Sequence, residues 1–495
     1  MRRYRLPELI MQTSAESATN RMRRPDFEQW LKQAAGTGYC ANPVRLVGSS
    51  RVVDARSGEV VSSYESATEP DGITYVRCGN RRAVRCPSCR HEYKGDMWHL
   101  VVAGAVGGSK GIPAPAGVGA HPLIFVTLTA PTFGAVHAVK KPGRGGTVRC
   151  RPRSDKKLCP HGRPTWCMAV HSPDSRIAGE PLCYECYDYV GQIAWQWHSP
   201  ELWRRFTIVL RRRLAQALGL SETAARQLVR VQFAKVAEFQ KRGLIHFHAL
   251  IRLDGDPTDE DAFPSPAVDL SAERVTAIAI ESASAVSLVA DPMVTGDPAL
   301  LLRFGKQCDA RVVVRGGGDV EGELSDRAVA AYIAKYATKA TEDVDPEAAS
   351  AGQRPHIANL KRTIDDLASL SHRGSVEDDP YALLGKWVGM LGFRGHFATK
   401  SRRYSTTLGK LRSARRNWQR RLAVQRLHGT GPATDSMPDD VEDETTLVIG
   451  EWSFVGIGWL DSGDALLASQ AAGAAREWQE AQRRSSQFHK TERGE

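Results

Sequence analysis

The sequence predicts an α+β fold: a central antiparallel sheet flanked by helices, with small cysteine-braced modules and a basic helical C-terminal region. Three observations predict it. Val231–Gln240 and Leu244–Leu253 both alternate with period two and are joined by Lys241-Arg242-Gly243, a three-residue hairpin loop with Gly at the left-handed position. Tyr187–Leu218 and Ser325–Thr341 carry apolar residues at helical spacing. Ten cysteines include two Cys-x-x-Cys knuckles, Cys86 with Cys89 and Cys183 with Cys186.

Residues 1–37 are charged, with a short helical pattern from Pro25 to Ala35. Residues 38–119 read as a β module with short strands at Val44–Leu46, Arg51–Val53 and Thr74–Arg77, braced by the first knuckle. Nothing in the sequence exports the chain, so the knuckles are read as zinc sites rather than disulfides. Cys40, Cys78, Cys86 and Cys89 are expected to hold one zinc ion. The Gly/Ala-rich stretch His99–Gly119 contains Gly104 to Lys110, but Ser109 occupies the position where a phosphate loop needs its second Gly, so no ATPase is expected.

Residues 120–345 form the central domain, interrupted at about 145–190 by a Cys-rich insertion. There Cys150, Cys159, His161 and Cys167 compete to complete the second knuckle, and Cys150, Cys159, Cys183 and Cys186 are the favoured set for a second structural zinc. Leu123–Ala130 is the first strand, and Trp195, Trp197, Trp203, Phe206 and Leu210 cover the apolar face of the sheet. In the hairpin, Ile245, Phe247, Ala249, Ile251 and Leu253 share a core face, whereas His246 and His248 lie on the other face with Glu238 opposite His246. Two imidazoles and a carboxylate with open positions suit Mg2+ or Mn2+ acting on a phosphodiester. Val275–Leu288 reads as a helix and Ala310–Arg315 as a strand, with Cys308 in the core. Ser325 or Asp326 caps a helix on which Tyr332 and Tyr336 are neighbours, with Lys335 and Lys339 each three residues after a tyrosine.

Residues 346–427 are the basic helical region. From Arg394 to Arg426 there are eleven Lys or Arg and no acid, which matches the net charge of +11 for the whole chain. Arg394, Lys400, Arg402, Arg403, Arg415, Arg416, Arg420 and Arg421 are expected to follow phosphates. Residues 428–446 read as a linker, and 447–495 as a small unit with a hairpin-like piece, Glu451–Leu460, and an Ala-rich helix. No apolar run reaches the roughly 18 residues of a membrane span, and the N-terminus lacks a signal-peptide pattern, so a cytoplasmic protein is expected.

FVTLTAP at Phe125–Pro131, IHFHA at Ile245–Ala249 and YIAKYATK at Tyr332–Lys339 stand in the order of the three motifs of the HUH endonucleases, and the chain resembles the rolling-circle replication initiators among them. Tyr187–Trp197, Leu202–Phe206 and Gly392–Thr407 look like the actinobacterial plasmid initiators of the Rep type, and the resemblance runs from about Gly38 to about Arg421. An Asn often closes the first motif; Pro131 and Thr132 stand there instead. The resemblance implies an HUH nuclease domain that nicks one strand of a plasmid origin, leaves a 5′-phosphotyrosine and a free 3′-OH, and rejoins ends at termination. It implies Glu238, His246 and His248 as ligands of a catalytic metal. Single-tyrosine relatives keep the nucleophile at the place of Tyr336, which makes Tyr336 the first choice and Tyr332 the second nucleophile. Origin DNA, a host helicase and a polymerase are the implied partners. A conjugative relaxase or HUH transposase would share the chemistry, but relaxases commonly put the tyrosine ahead of the histidines. A non-catalytic, zinc-containing DNA-binding regulator is the alternative from another class, and nicking of supercoiled DNA separates the two.

Overall fold

The computed structural model describes residues 13–54, 57–83, 85–107, 121–140, 148–314, 324–325, 328–333, 354–371, 379–414 and 446–492. The chain divides into two units, Met1–Tyr93 with Gly431–Glu495, and Lys94–Thr430. The architecture is mixed α and β, with antiparallel sheets and helices.

In the first unit, β1 (Val44–Asp54) pairs with β2 (Val60–Glu65), with β3 (Thr74–Val76) and, along its whole length, with β12 (Thr446–Ile457). The sequence predicts separate units at 38–119 and 447–495, whereas strand pairing joins β1 and β12 in one sheet. Val44–Leu46 and Arg51–Val53 belong to one continuous strand, and Glu451–Leu460 is not hairpin-like but mostly part of β12. Gly48 permits this, because a Cβ there would strike the Glu451 carbonyl. Helices α1 (Ser14–Met22), α2 (Phe27–Gly36) and a long terminal helix (Ser462–Glu492) complete the unit. Trp30, Tyr75 and Trp459 form its core. The buried Arg21 donates to Asp464 at 2.7 Å and to Asp71 at 2.7 Å, so its charge is compensated where it is desolvated.

The second unit is built on a six-stranded sheet. Its order is β10 (Leu324–Ser325), β9 (Asp309–Val314), β4 (Leu123–Leu128), β6 (Ile245–Asp254), β5 (Arg230–Phe239) and β11 (Ala398–Lys400), antiparallel except between β9 and β10. The hairpin register is the one its alternation requires: Glu238 faces His246, the Gln240 N–H donates to the Leu244 carbonyl at 2.9 Å, and Gly243 has φ 68°. The odd face of β6 packs under α4 (Tyr189–Ala217), whose Trp195, Trp197, Trp203, Phe206 and Leu210 are all buried, together with α5 (Ala272–Ala285). Helix α5 ends before Leu288, which lies in β7 (Ser287–Ala290) paired with β8 (Leu300–Arg303). Cys308 precedes β9 and packs against this core.

The opposite face is covered by α3 (Pro87–Val106) and the helical residues 328–333. The first part of the Gly/Ala-rich stretch, His99–Val106, lies in helix α3. Val101 and Ala105 pack on Leu123, Val236 and Leu250, and Gly104 leaves room for the Tyr404 ring, whose hydroxyl donates to the Val101 carbonyl at 3.0 Å. The small residues here let the helix approach the sheet and the Tyr404 ring closely. Helix α6 (Pro355–Ser371) closes the hairpin end of the core through Leu360 and Ile364.

A candidate metal centre beside a tyrosine

On the side of β5 and β6 that faces α3, three donor atoms converge. Glu238 Oε2 lies 2.9 Å from His246 Nε2 and 3.2 Å from His248 Nε2, and the two Nε2 atoms are 3.0 Å apart. Three ligands on one face of an octahedron with bonds of about 2.1 Å would have edges of about 3.0 Å, so the three donors have the spacing of a divalent-metal site. The site lies close to the hairpin turn, where backbone pairing fixes the ligand order. Burial pushes the Glu238 carboxyl up, but hydrogen bonds to His246 and His248 outweigh it and hold the group at about 2. Burial lowers the His248 pKa against the pull of Glu238, which favours the neutral ring that a metal requires.

Residues to which the motifs alone gave no part hold these ligands in place. Thr127 Oγ1 lies 3.0 Å from His248 Nδ1, on β4, whose register sets Thr127 opposite His248. That contact turns Nε2 toward the ligand cluster. The Phe125 ring stacks on His248 with centroids 5.5 Å apart and planes 8° apart. Gln240 Nε2 lies 3.2 Å from His246 Nδ1, while its Oε1 accepts from Arg242 Nε at 2.8 Å. The signal for Thr127 and Gln240 was alternation itself, since both fall on the histidine face.

Tyr332 is brought to this cluster. Its hydroxyl lies 3.3 Å from His248 Nε2, and its ring meets Phe125 and His248 edge-on. Ser325 Oγ accepts from the Ala328 N–H at 3.2 Å, the cap its position suggested. Tyr336, Lys335 and Lys339 lie outside the described residues.

Three further groups of donors could hold metal among the described residues. Cys40, Cys78, Cys86 and Cys89 come together as expected, with Sγ separations of 3.6, 3.6 and 3.8 Å. Those are the edges of a tetrahedron with Zn–S bonds of about 2.3 Å. Backbone N–H groups of Ala41, Cys78, Asn80 and Cys89 donate to these sulfurs. The second set is corrected. Cys159, Cys183 and Cys186 assemble with His161, whereas Cys150 joins His137, Cys167 and His171. The cause is local pairing: Arg151 and Cys167 exchange backbone hydrogen bonds, which draws Cys150 toward Cys167 and away from Cys159. His137 and His171 were not singled out, although Cys167-x3-His171 has a zinc-ligand spacing.

Among the residues expected to meet DNA, Arg402 and Arg403 line a cleft of about 330 Å³ with Arg211, Arg226 and Arg230. Burial, then the charge of Arg226, lowers the Arg211 pKa. Arg394 and Lys400 are engaged within the fold: Arg394 sits 4.6 Å over the Trp197 ring and donates to the Trp197 carbonyl, and Lys400 Nζ donates to the Ser405 carbonyl. Arg415, Arg416, Arg420 and Arg421 lie outside the described residues. Among the described residues, no helix is long and apolar enough to cross a membrane.

The sequence pattern of the family described as "Replication initiator protein, pSAM2" matches residues 26–473. A replication initiator protein of Streptomyces ambofaciens is 39% identical over 464 residues, covering 90% of each chain. No solved structure matches.

Proposed function

The chain belongs to the pSAM2-type family of replication initiator proteins, and from that premise we propose that it is the nickase of rolling-circle plasmid replication, an HUH-type single-strand endonuclease and strand transferase. One observation carries the reading: Glu238 Oε2, His246 Nε2 and His248 Nε2 lie within 3.2 Å of one another, and the Tyr332 hydroxyl stands 3.3 Å from His248 Nε2. A nucleophile beside a hard-cation site is what transfer of a phosphodiester to a protein oxygen requires.

A divalent cation held by Glu238, His246 and His248 would polarise the scissile phosphate. The chain's own residues do the rest. Glu238 remains a carboxylate through the neutral range, and Thr127 keeps the ring of His248 turned toward the cluster. The Tyr332 oxygen attacks phosphorus and gives up its phenolic proton, the P–O3′ bond breaks, and the leaving 3′ oxygen takes up a proton. The 5′-phosphotyrosine left behind retains the phosphodiester bond energy, so the reverse attack by a 3′-OH reseals the strand without ATP. The 3.3 Å distance supports Tyr332 as one nucleophile, and Tyr336, four residues on in the sequence, is proposed as the other. The arginine cleft supports a role for Arg402 and Arg403 in holding origin DNA; the helicase and polymerase that follow are host proteins.

The experiment is conversion of supercoiled origin plasmid to the nicked form by the purified chain in Mn2+ or Mg2+. Nicking that disappears with a chelator, leaving DNA covalently attached to protein, is the expected result. Binding without cutting in either ion would leave a non-catalytic regulator as the answer.

A further inference from the structure

The insertion between β4 and α4 offers eight donors in four consecutive pairs. In chain order they are His137 and Cys150, Cys159 and His161, Cys167 and His171, Cys183 and Cys186. The first and third pairs converge on one point and the second and fourth on another. In the first tetrad His171 Nε2 lies 3.2 Å from His137 Nδ1 and 3.4 Å from Cys167 Sγ; in the second His161 Nδ1 lies 3.2 Å from Cys186 Sγ and 3.8 Å from Cys183 Sγ. Zinc bonds of about 2.0 Å to nitrogen and 2.3 Å to sulfur give tetrahedral edges of about 3.3 to 3.8 Å, so both tetrads have the size of a zinc site.

The module they staple touches the catalytic hairpin at its turn. A Cβ on Gly179 would lie within 2.9 Å of the Lys241 and Arg242 backbone, so the two segments are in direct contact there. Lys241 Nζ donates to the Pro173 carbonyl, and Arg354 donates to the carbonyls of Lys241 and Ala178 at once. Gly179 is tied back to the first tetrad, its N–H donating to the His137 carbonyl at 2.7 Å. The hairpin turn, Lys241 to Gly243, begins three residues past Glu238 and ends three before His246.

We propose that the insertion is a cross-braced two-zinc module, each ion closing a loop that contains ligands of the other, and that it seats the turn of the hairpin carrying Glu238 and His246. Interleaving has a physical consequence. Losing either ion frees the segment that carries half of the other ion's ligands, so the two bind and leave together. The link to the hairpin rests on the metal-centre reading above; the zinc content does not.

Metal analysis of the purified full chain tests the module, with about three zinc ions per chain expected. His161→Ala and His171→Ala should each fall to about one ion, retained at the Cys40 site, and His171→Cys should restore the full content. A chain holding about two ions, or variants that each lose a single ion, would overturn the cross-brace. If the alanine variants are insoluble, release from the wild-type chain by a chelator decides instead: two ions leaving in one phase support the proposal, and three separate phases refute it. For the hairpin, Mn2+ binding is followed by electron paramagnetic resonance, without DNA, in Gly179→Val. Affinity roughly tenfold weaker with zinc content unchanged is expected. Unaltered affinity would confine the module to a structural role away from the hairpin, while absence of Mn2+ binding in the wild-type chain would instead count against the metal-centre reading.

Discussion

Around His248 each neighbour has a separable task, and single substitutions distinguish them. Glu238→Ala, His246→Ala and His248→Ala should each lose metal-dependent nicking by about a hundredfold or more while origin binding is nearly kept, because in the proposed mechanism the metal acts on one phosphate while many other contacts hold the DNA. Full nicking by His246→Ala in Mn2+ would remove the hairpin from the active site. Thr127→Val keeps the volume and loses the contact at His248 Nδ1, so a drop of roughly ten- to a hundredfold is expected, with recovery at high Mn2+. The two tyrosines are separated by mass spectrometry of the covalent adduct. With Tyr332 Oη 3.3 Å from His248 Nε2, Tyr332→Phe should lose a large share of the adduct, and the double variant with Tyr336→Phe should bind without cutting. An adduct found only on Tyr336 with full yield in Tyr332→Phe would assign Tyr332 to packing.

Strand β5 carries Glu238, the proposed metal ligand, on one face and, three residues earlier, Lys235 on the other. Lys235 is 4% exposed, its Nζ 4.5 Å from the centre of the Phe247 ring. Burial lowers its pKa from 10.5 to about 7. A base whose folded pKa is depressed destabilises the fold fully below the folded pKa, where it is charged in both states. The penalty fades as pH rises from about 7 toward 10.5, because the unfolded chain then holds the extra proton. Lys235→Met should therefore raise stability by a few kcal/mol near pH 6 to 7, with the gain shrinking toward pH 10, as measured by urea unfolding. A gain constant across that range would mean packing, not charge, is what the substitution changes.

For the molecule as a whole, positive charge is the property a polyanion reads. Binding of origin DNA should weaken by orders of magnitude between about 50 and 200 mM salt if roughly six or more phosphates are neutralised. Removing charge at Arg211, Arg226, Arg402 and Arg403 together should flatten the plot of log affinity against log salt, and so should removal at Arg415, Arg416, Arg420 and Arg421. A slope unchanged by the first set would make the cleft a solvated surface. The first unit adds a sheet whose strands β1 and β12 come from opposite ends of the chain, so a truncation before residue 446 should leave β1 unpaired along one edge and lower the solubility of what remains.

What the sequence determined by itself was whatever depends on period and short spacing. Alternation put Glu238 opposite His246 and set Gly243 at the turn, because neighbouring strands joined by three residues have little choice of register. The first cysteine set was legible for a similar reason, one knuckle supplying half of it. Tertiary structure decided the rest. The contact of Tyr332 with His248, the pairing of Thr127 with His248 and the joining of β1 to β12 link residues far apart in the chain, and no local pattern records such a meeting. The second cysteine set shows the limit most plainly: eight donors within fifty residues can be grouped in many ways, and the backbone pairing of Arg151 with Cys167, visible only once the loop is folded, separates Cys150 from Cys159.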